Sequence, residues 1–187
     1  MFTRFWGKLV AFFFGGICGT VFGVALGFFF FPYVFPPPPA NEQLTQADLA
    51  PPPSAAAPTQ EGTAPAAAAT PVATGTFIHA NTSDPVHWGK GKVSVYQRAV
   101  FLEPDFQVGP GPAYHVYLVP KASIRSSSDM NDVMYVDLGR LRSFQGSQRY
   151  QIPDGVDLKD YPSVIIWCQR FSVLISPADL KTAQASN

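Results

Sequence analysis

The chain has 187 residues, and its thirteen basic and thirteen acidic side chains cancel to zero net charge. Neutrality argues against a nucleic-acid partner, which would call for a basic patch to neutralise phosphates. The nineteen prolines and sixteen phenylalanines are both in excess but lie apart: phenylalanines crowd the first 35 residues, and prolines gather between Pro36 and Pro71.

Residues 1–8 carry Arg4 and Lys8 and read as a short cytoplasmic stub, followed by an uncharged stretch over 9–35. As a helix rising about 1.5 Å per residue, 9–31 covers about 34 Å, enough to cross a hydrocarbon core of about 30 Å. Lipid offers the backbone no hydrogen bonds, so a helix is the single-segment solution. A cleaved secretory signal would be shorter and would end at small residues, whereas this stretch ends in Phe28-Phe29-Phe30-Phe31-Pro32-Tyr33. Arg4 and Lys8 precede the helix and only Glu42, Asp48 and Glu61 follow it before the domain. The positive-inside rule then puts the N-terminus in the cytoplasm and the bulk of the chain outside, in the periplasm if the cell has two membranes. The bilayer is therefore an expected partner. Gly15, Gly19, Gly23 and Gly27 recur every four residues. They form a seam on which a second copy or another membrane helix can pack closely.

Residues 36–74 form a low-complexity segment rich in proline and alanine. It lacks the apolar side chains that would offset its ordering entropy, so it reads as a disordered tether. Past Gly75 the composition changes. Short runs of β-branched and aromatic residues recur at 76–78, 92–96, 99–102, 114–119, 135–138, 149–152, 164–168 and 171–175, separated by turn residues. These predict an all-β domain over 75–181, an antiparallel sandwich or jelly roll, with a flexible tail at 182–187. The run 164–168 is apolar at every position and reads as a central strand buried on both faces. Ser176 followed by Pro177 suggests one helical turn over 177–181. Ser126-Ser127-Ser128-Asp129 reads as a flexible loop and Asp154-Gly155 as a turn.

Several blocks of the domain follow one pattern: Gly75-Thr76-Phe77, His87-Trp88-Gly89-Lys90-Gly91, Phe106 with Gly109-Pro110-Gly111-Pro112, and Val116-Tyr117-Leu118. It continues through Val136-Asp137-Leu138-Gly139-Arg140-Leu141, Gly146 to Pro153, and Val164-Ile165-Ile166-Trp167-Cys168 with Phe171. Over about 105 residues the chain resembles the electron transfer DM-thirteen domain family. The resemblance implies an extracytoplasmic β-sandwich with a redox role resting on one cysteine, which maps to Cys168, while the family histidine maps to His87. Ala113 stands where the family often has an acidic residue.

Cys168 is the only cysteine of the domain, so no disulfide forms within it. It reads either as a redox thiol or contact to a prosthetic group, or as a core cysteine beside Trp167. Type-one copper would want a histidine and commonly a methionine soon after the cysteine, and Gln169-Arg170-Phe171-Ser172 supplies neither. No metal site is expected. His87 and His115 are the weak candidates for holding a cofactor, of which non-covalent haem is one option, although the sequence requires none. Hydrolase and nucleotide motifs are absent, so a stand-alone enzyme is not the expectation. Two functions remain: an electron-transfer accessory domain centred on Cys168, or a non-catalytic module binding a protein or glycan of the cell envelope.

Overall fold

The computed structural model describes residues 2–49 and 70–182 and divides into two units, 1–37 and 38–187. In the first unit, α1 (Phe2–Val34) is a single helix of 33 residues. Its 23-residue span Trp6–Phe28 has a mean hydropathy of 2.2, and none of it is buried within the protein. It is long and apolar enough to cross a membrane.

The second unit is mainly β. Its strands are β1 (Ala40–Asn41), β2 (Ala73–Phe77), β3 (Gly89–Val95), β4 (Ala99–Leu102), β5 (Gln107–Val108), β6 (Tyr114–Val119), β7 (Val136–Arg140), β8 (Gly146–Gln151), β9 (Ser163–Cys168) and β10 (Val173–Thr182). They form one curled sheet in the order β1-β8-β4-β3-β2-β10-β9-β6-β7, with β5 paired to β3. All pairings are antiparallel except β1 with β8, which makes the sheet mixed. Strand β10 joins the two limbs: residues 173–179 pair with β9, and Leu180–Thr182 pair with β2.

Side chains alternate across a strand, and here the alternation sorts them into two cores. Val93, Val95, Val100, Leu102 and Tyr150 of one limb meet Val116, Leu118, Val164, Ile166 and Cys168 of the other in the main core. The opposite face of the β9–β6 limb carries a smaller core of Tyr117, Val119, Ile124, Met130, Ile165 and Leu174, with Trp167 against it. Strand β9 is therefore packed on both faces, which is why its sequence shows no polar alternation.

All eight expected strands form, with ends shifted by a few residues, and β1 and β5 are additional. The helical turn expected at 177–181 is instead the second half of β10. The cap signal at Ser176 is overridden because residues 176–182 find partners on β9 and β2. A register shift between Leu174 and Ser176 precedes Pro177, and bulges are among the few places where a strand tolerates proline. The serine-rich loop is a short 3₁₀ helix, Ser127–Met130. The Asp129 carboxylate ties it down by accepting from the backbone N–H groups of Arg125 and Ser126.

The largest correction concerns the tether. Residues 50–69 and 183–187, and with them most of the expected tether and tail, lie outside the described residues. Residues 38–49 are ordered, and Ala73 and Thr74 already belong to β2. β1 lies parallel on β8 with Ala40 opposite Gly146 and Asn41 opposite Ser147. Ala40 and Glu42 donate backbone N–H bonds to Gln145 and Ser147. Ser143 Oγ donates to the Pro38 carbonyl and Ser147 Oγ to that of Glu42, both at 2.8 Å. The Arg142 guanidinium grips the Glu42 carboxylate with two bonds of 2.6 and 2.7 Å. Arg149 reaches Asp48 at 2.8 and 3.0 Å. Thr45 donates backbone N–H and hydroxyl to Asp48 at the start of the short α2 (Gln46–Leu49), half of a capping box. Burial alone would raise the Glu42 carboxyl, but its bonds to Arg142 and to the Arg149 N–H hold it below its ordinary value.

Candidate functional site

Tyr114 on β6 is the register partner of Cys168 at the end of β9. Both point into the main core, and Cys168 is 1% exposed. Its thiol donates to the carbonyl oxygen of Pro112 at 3.2 Å. Pro112 is itself exposed, so the sulfur lies one loop layer beneath the surface. That layer is the Gly109-Pro110-Gly111-Pro112-Ala113 loop. Gly111 has no side chain because the Tyr114 hydroxyl occupies the place a Cβ would take. Ala113 adopts φ 51°, a left-handed conformation unusual for alanine, and its carbonyl accepts from the Gln169 N–H. The loop is thus tied to Cys168 and to the residue after it. Arg170 is exposed in the turn beyond it.

The reverse face of the same limb carries a polar and aromatic network. His115 pairs in register with Trp167, not with Cys168. The pleat therefore puts the imidazole on the opposite face from the thiol. His115 Nδ1 is 3.0 Å from both carboxylate oxygens of Asp137. Gln169 Nε2 donates to Asp137 at 3.1 Å and to the Tyr117 hydroxyl at 2.9 Å. Tyr135 stacks on Tyr117 with ring centroids 4.2 Å apart and planes 12° from parallel. Burial pushes the Tyr117 hydroxyl up to about 12, against the Gln169 bond and with Tyr135 and Asp137 adding to the rise.

His87 stands elsewhere, in the loop before β3, with Nδ1 at 2.7 Å from the Asp84 carboxylate. That bond, with the N–H groups of Val86 and His87, holds the Asp84 carboxyl down to about 2. Among the described residues no group of three His, Cys, Asp or Glu side chains is arranged to hold a metal. The structure therefore does not bring the two candidate histidines together with Cys168 as a ligand set. Gly15, Gly19, Gly23 and Gly27 lie along α1, and a Cβ at any of them meets nothing within 4 Å. Tyr117, Tyr135, Asp137 and Gln169 were not singled out as site residues. Their types are ordinary for strands and turns, and only the pairing of β6 with β7 and β9 collects them.

The family comparison covers this whole arrangement: a model described as Electron transfer DM13 matches residues 78–180. The chain belongs to the electron transfer DM13 family. Comparison with curated proteins and with solved structures gives no match. The DM13 match takes in Cys168, its covering loop and the reverse-face network, and leaves out α1 and the docked residues 38–49.

Alkali gives one check on the packing of this DM13 domain. Burial raises Tyr150 above its ordinary 10.0, as it does Tyr117. The unfolded chain loses these protons near pH 10 while the folded one keeps them, so stability falls as pH rises through 10 toward the folded values. Denaturant titrations at successive pH values should show the midpoint dropping over that interval. Tyr117→Phe and Tyr150→Phe should each make the drop shallower.

Proposed function

We propose that this chain is a membrane-anchored, extracytoplasmic electron-transfer accessory module in which Cys168 is the redox thiol. DM13 membership supports the electron-transfer class. The observation that carries the site is the position of the sulfur: sealed at rest, yet separated from solvent by a single loop whose residue Pro112 accepts its hydrogen bond. The apolar span of α1 and the Arg4 and Lys8 charges before it support an anchor with its N-terminus in the cytoplasm.

A thiol under such a cover reacts from an opened state. Displacement of residues 109–113 exposes Sγ, which as a thiolate attacks one sulfur of an external disulfide. A mixed disulfide forms, the partner's other sulfur leaves as a thiolate, and that thiolate takes up the proton released by Cys168. The cover also slows over-oxidation of the sulfur while the loop is closed. Residues 109–113 lie between β5 and β6 and belong to neither strand, so opening is local rather than a separation of the two limbs.

Native-state labelling of the full chain tests this, on a Cys18→Ser background so that only Cys168 reports. Labelling is expected to be slower than for an exposed thiol but clearly faster than global unfolding, and to vanish in Cys168→Ser. A sulfur modified no faster than the chain unfolds, in a protein with no visible absorbance, would remove Cys168 from the proposal. That outcome would favour the second reading, a module binding an envelope protein or glycan. The observation behind that reading is the set of exposed apolar side chains on the strand ends and turns: Met134 at 84%, Tyr135 at 48% and Phe171 at 62%.

A further inference from the structure

Residues 38–49 are fastened to the domain by polar contacts and almost no apolar ones. Asp48 is their only buried residue. The pairing of β1 with β8 extends over two residues. Glu42 and Asp48 meet Arg142 and Arg149, and three of these four side chains are more than a third exposed, only that of Asp48 being sequestered. Contacts between solvent-facing charges weaken with salt, since the screening length falls from about 10 Å at 0.1 M to about 3 Å at 1 M. Further fastenings are hydrogen bonds from the Ser143 and Ser147 hydroxyls, from the Arg98 N–H to the Asp48 carbonyl, and along the strand backbone, which water can replace. A segment held this way comes off without disturbing either hydrophobic core.

We propose that residues 38–49 are a releasable clasp on the edge of β8, held there by Arg142 and Arg149. Release uncovers that edge, a row of backbone groups that can pair with another extended chain. The proposal does not depend on Cys168.

Hydrogen exchange read by mass spectrometry, on the full chain in detergent micelles, tests the clasp. In low salt, peptides covering 38–49 should exchange at least about tenfold more slowly than an unstructured chain. Arg142→Ala with Arg149→Ala should remove most of that protection, while peptides from β9 keep theirs. Should those variants fold poorly, Glu42→Ala with Asp48→Ala removes the same contacts from the clasp side and leaves β8 intact. Free-chain exchange of 38–49 in the unaltered protein would overturn the proposal. So would full protection of that segment in both double variants.

Discussion

Ile166→Ala is expected to lower the unfolding free energy of the β unit by about 3–4 kcal/mol. Ile166 is fully buried in the main core, on the strand that is packed on both faces. Truncation removes the transfer free energy of the lost methyl groups and leaves a cavity that neighbouring strands cannot close, because β6 and β10 hold β9 in register on both sides. Ile166→Val should cost about 1 kcal/mol, keeping the shape and losing one methylene. Urea denaturation of both variants checks the prediction. A loss under about 1 kcal/mol for the alanine variant would mean that the core relaxes around the site. The experiment also bears on Cys168, which shares this core two residues on. If Ile166→Ala speeds Cys168 labelling only in proportion to global instability, opening is not local.

Gln148→Leu should be nearly as costly, about 2–4 kcal/mol, although it makes the residue more apolar. Gln148 is fully buried. Its Oε1 accepts from the Arg142 and Ser143 N–H groups and from the Tyr150 hydroxyl, and its Nε2 donates to the Ser143 carbonyl. Leucine would leave those groups without their partner, each unmade buried bond costing about 1–3 kcal/mol, partly recovered by relaxation toward water. The same bonds shape the 142–143 turn that presents Arg142 and Ser143 to residues 38–49. Loss of stability should therefore come with loss of protection in that segment. A Gln148→Leu protein as stable as the parent would show that the turn holds its shape without the amide.

The β class was legible because period-two runs rich in valine, isoleucine and tyrosine survive averaging. Strand β9 was legible even in its burial, since five apolar residues in a row leave no face for water. Residues 38–49 were not legible, for a physical reason. Their partners Arg142 and Arg149 lie about a hundred positions away in sequence, and the surrounding prolines dominate the composition of the segment. A local sign existed in Thr45-Gln46-Ala47-Asp48, a threonine with a carboxylate three residues on, which is the spacing of a capping box. The error at 177–181 has the opposite origin: Ser176-Pro177 is a genuine local signal, overruled by pairing partners on two sides. At the site, the alternation of Tyr114, His115 and Val116 foretold that the imidazole faces away from its neighbours. No local pattern foretold that Gly109 to Ala113 would cover Cys168, because that contact joins a loop to a strand more than fifty residues later.

Strand β10 is last in chain order, yet it lies in the middle of the sheet, between β2 and β9. During synthesis every other strand is therefore made before the piece that joins the two limbs. Until it arrives, β2 and β9 each present a bare edge, and β9 is an apolar one. Removing β10 should thus yield a sticky half-product rather than a smaller domain.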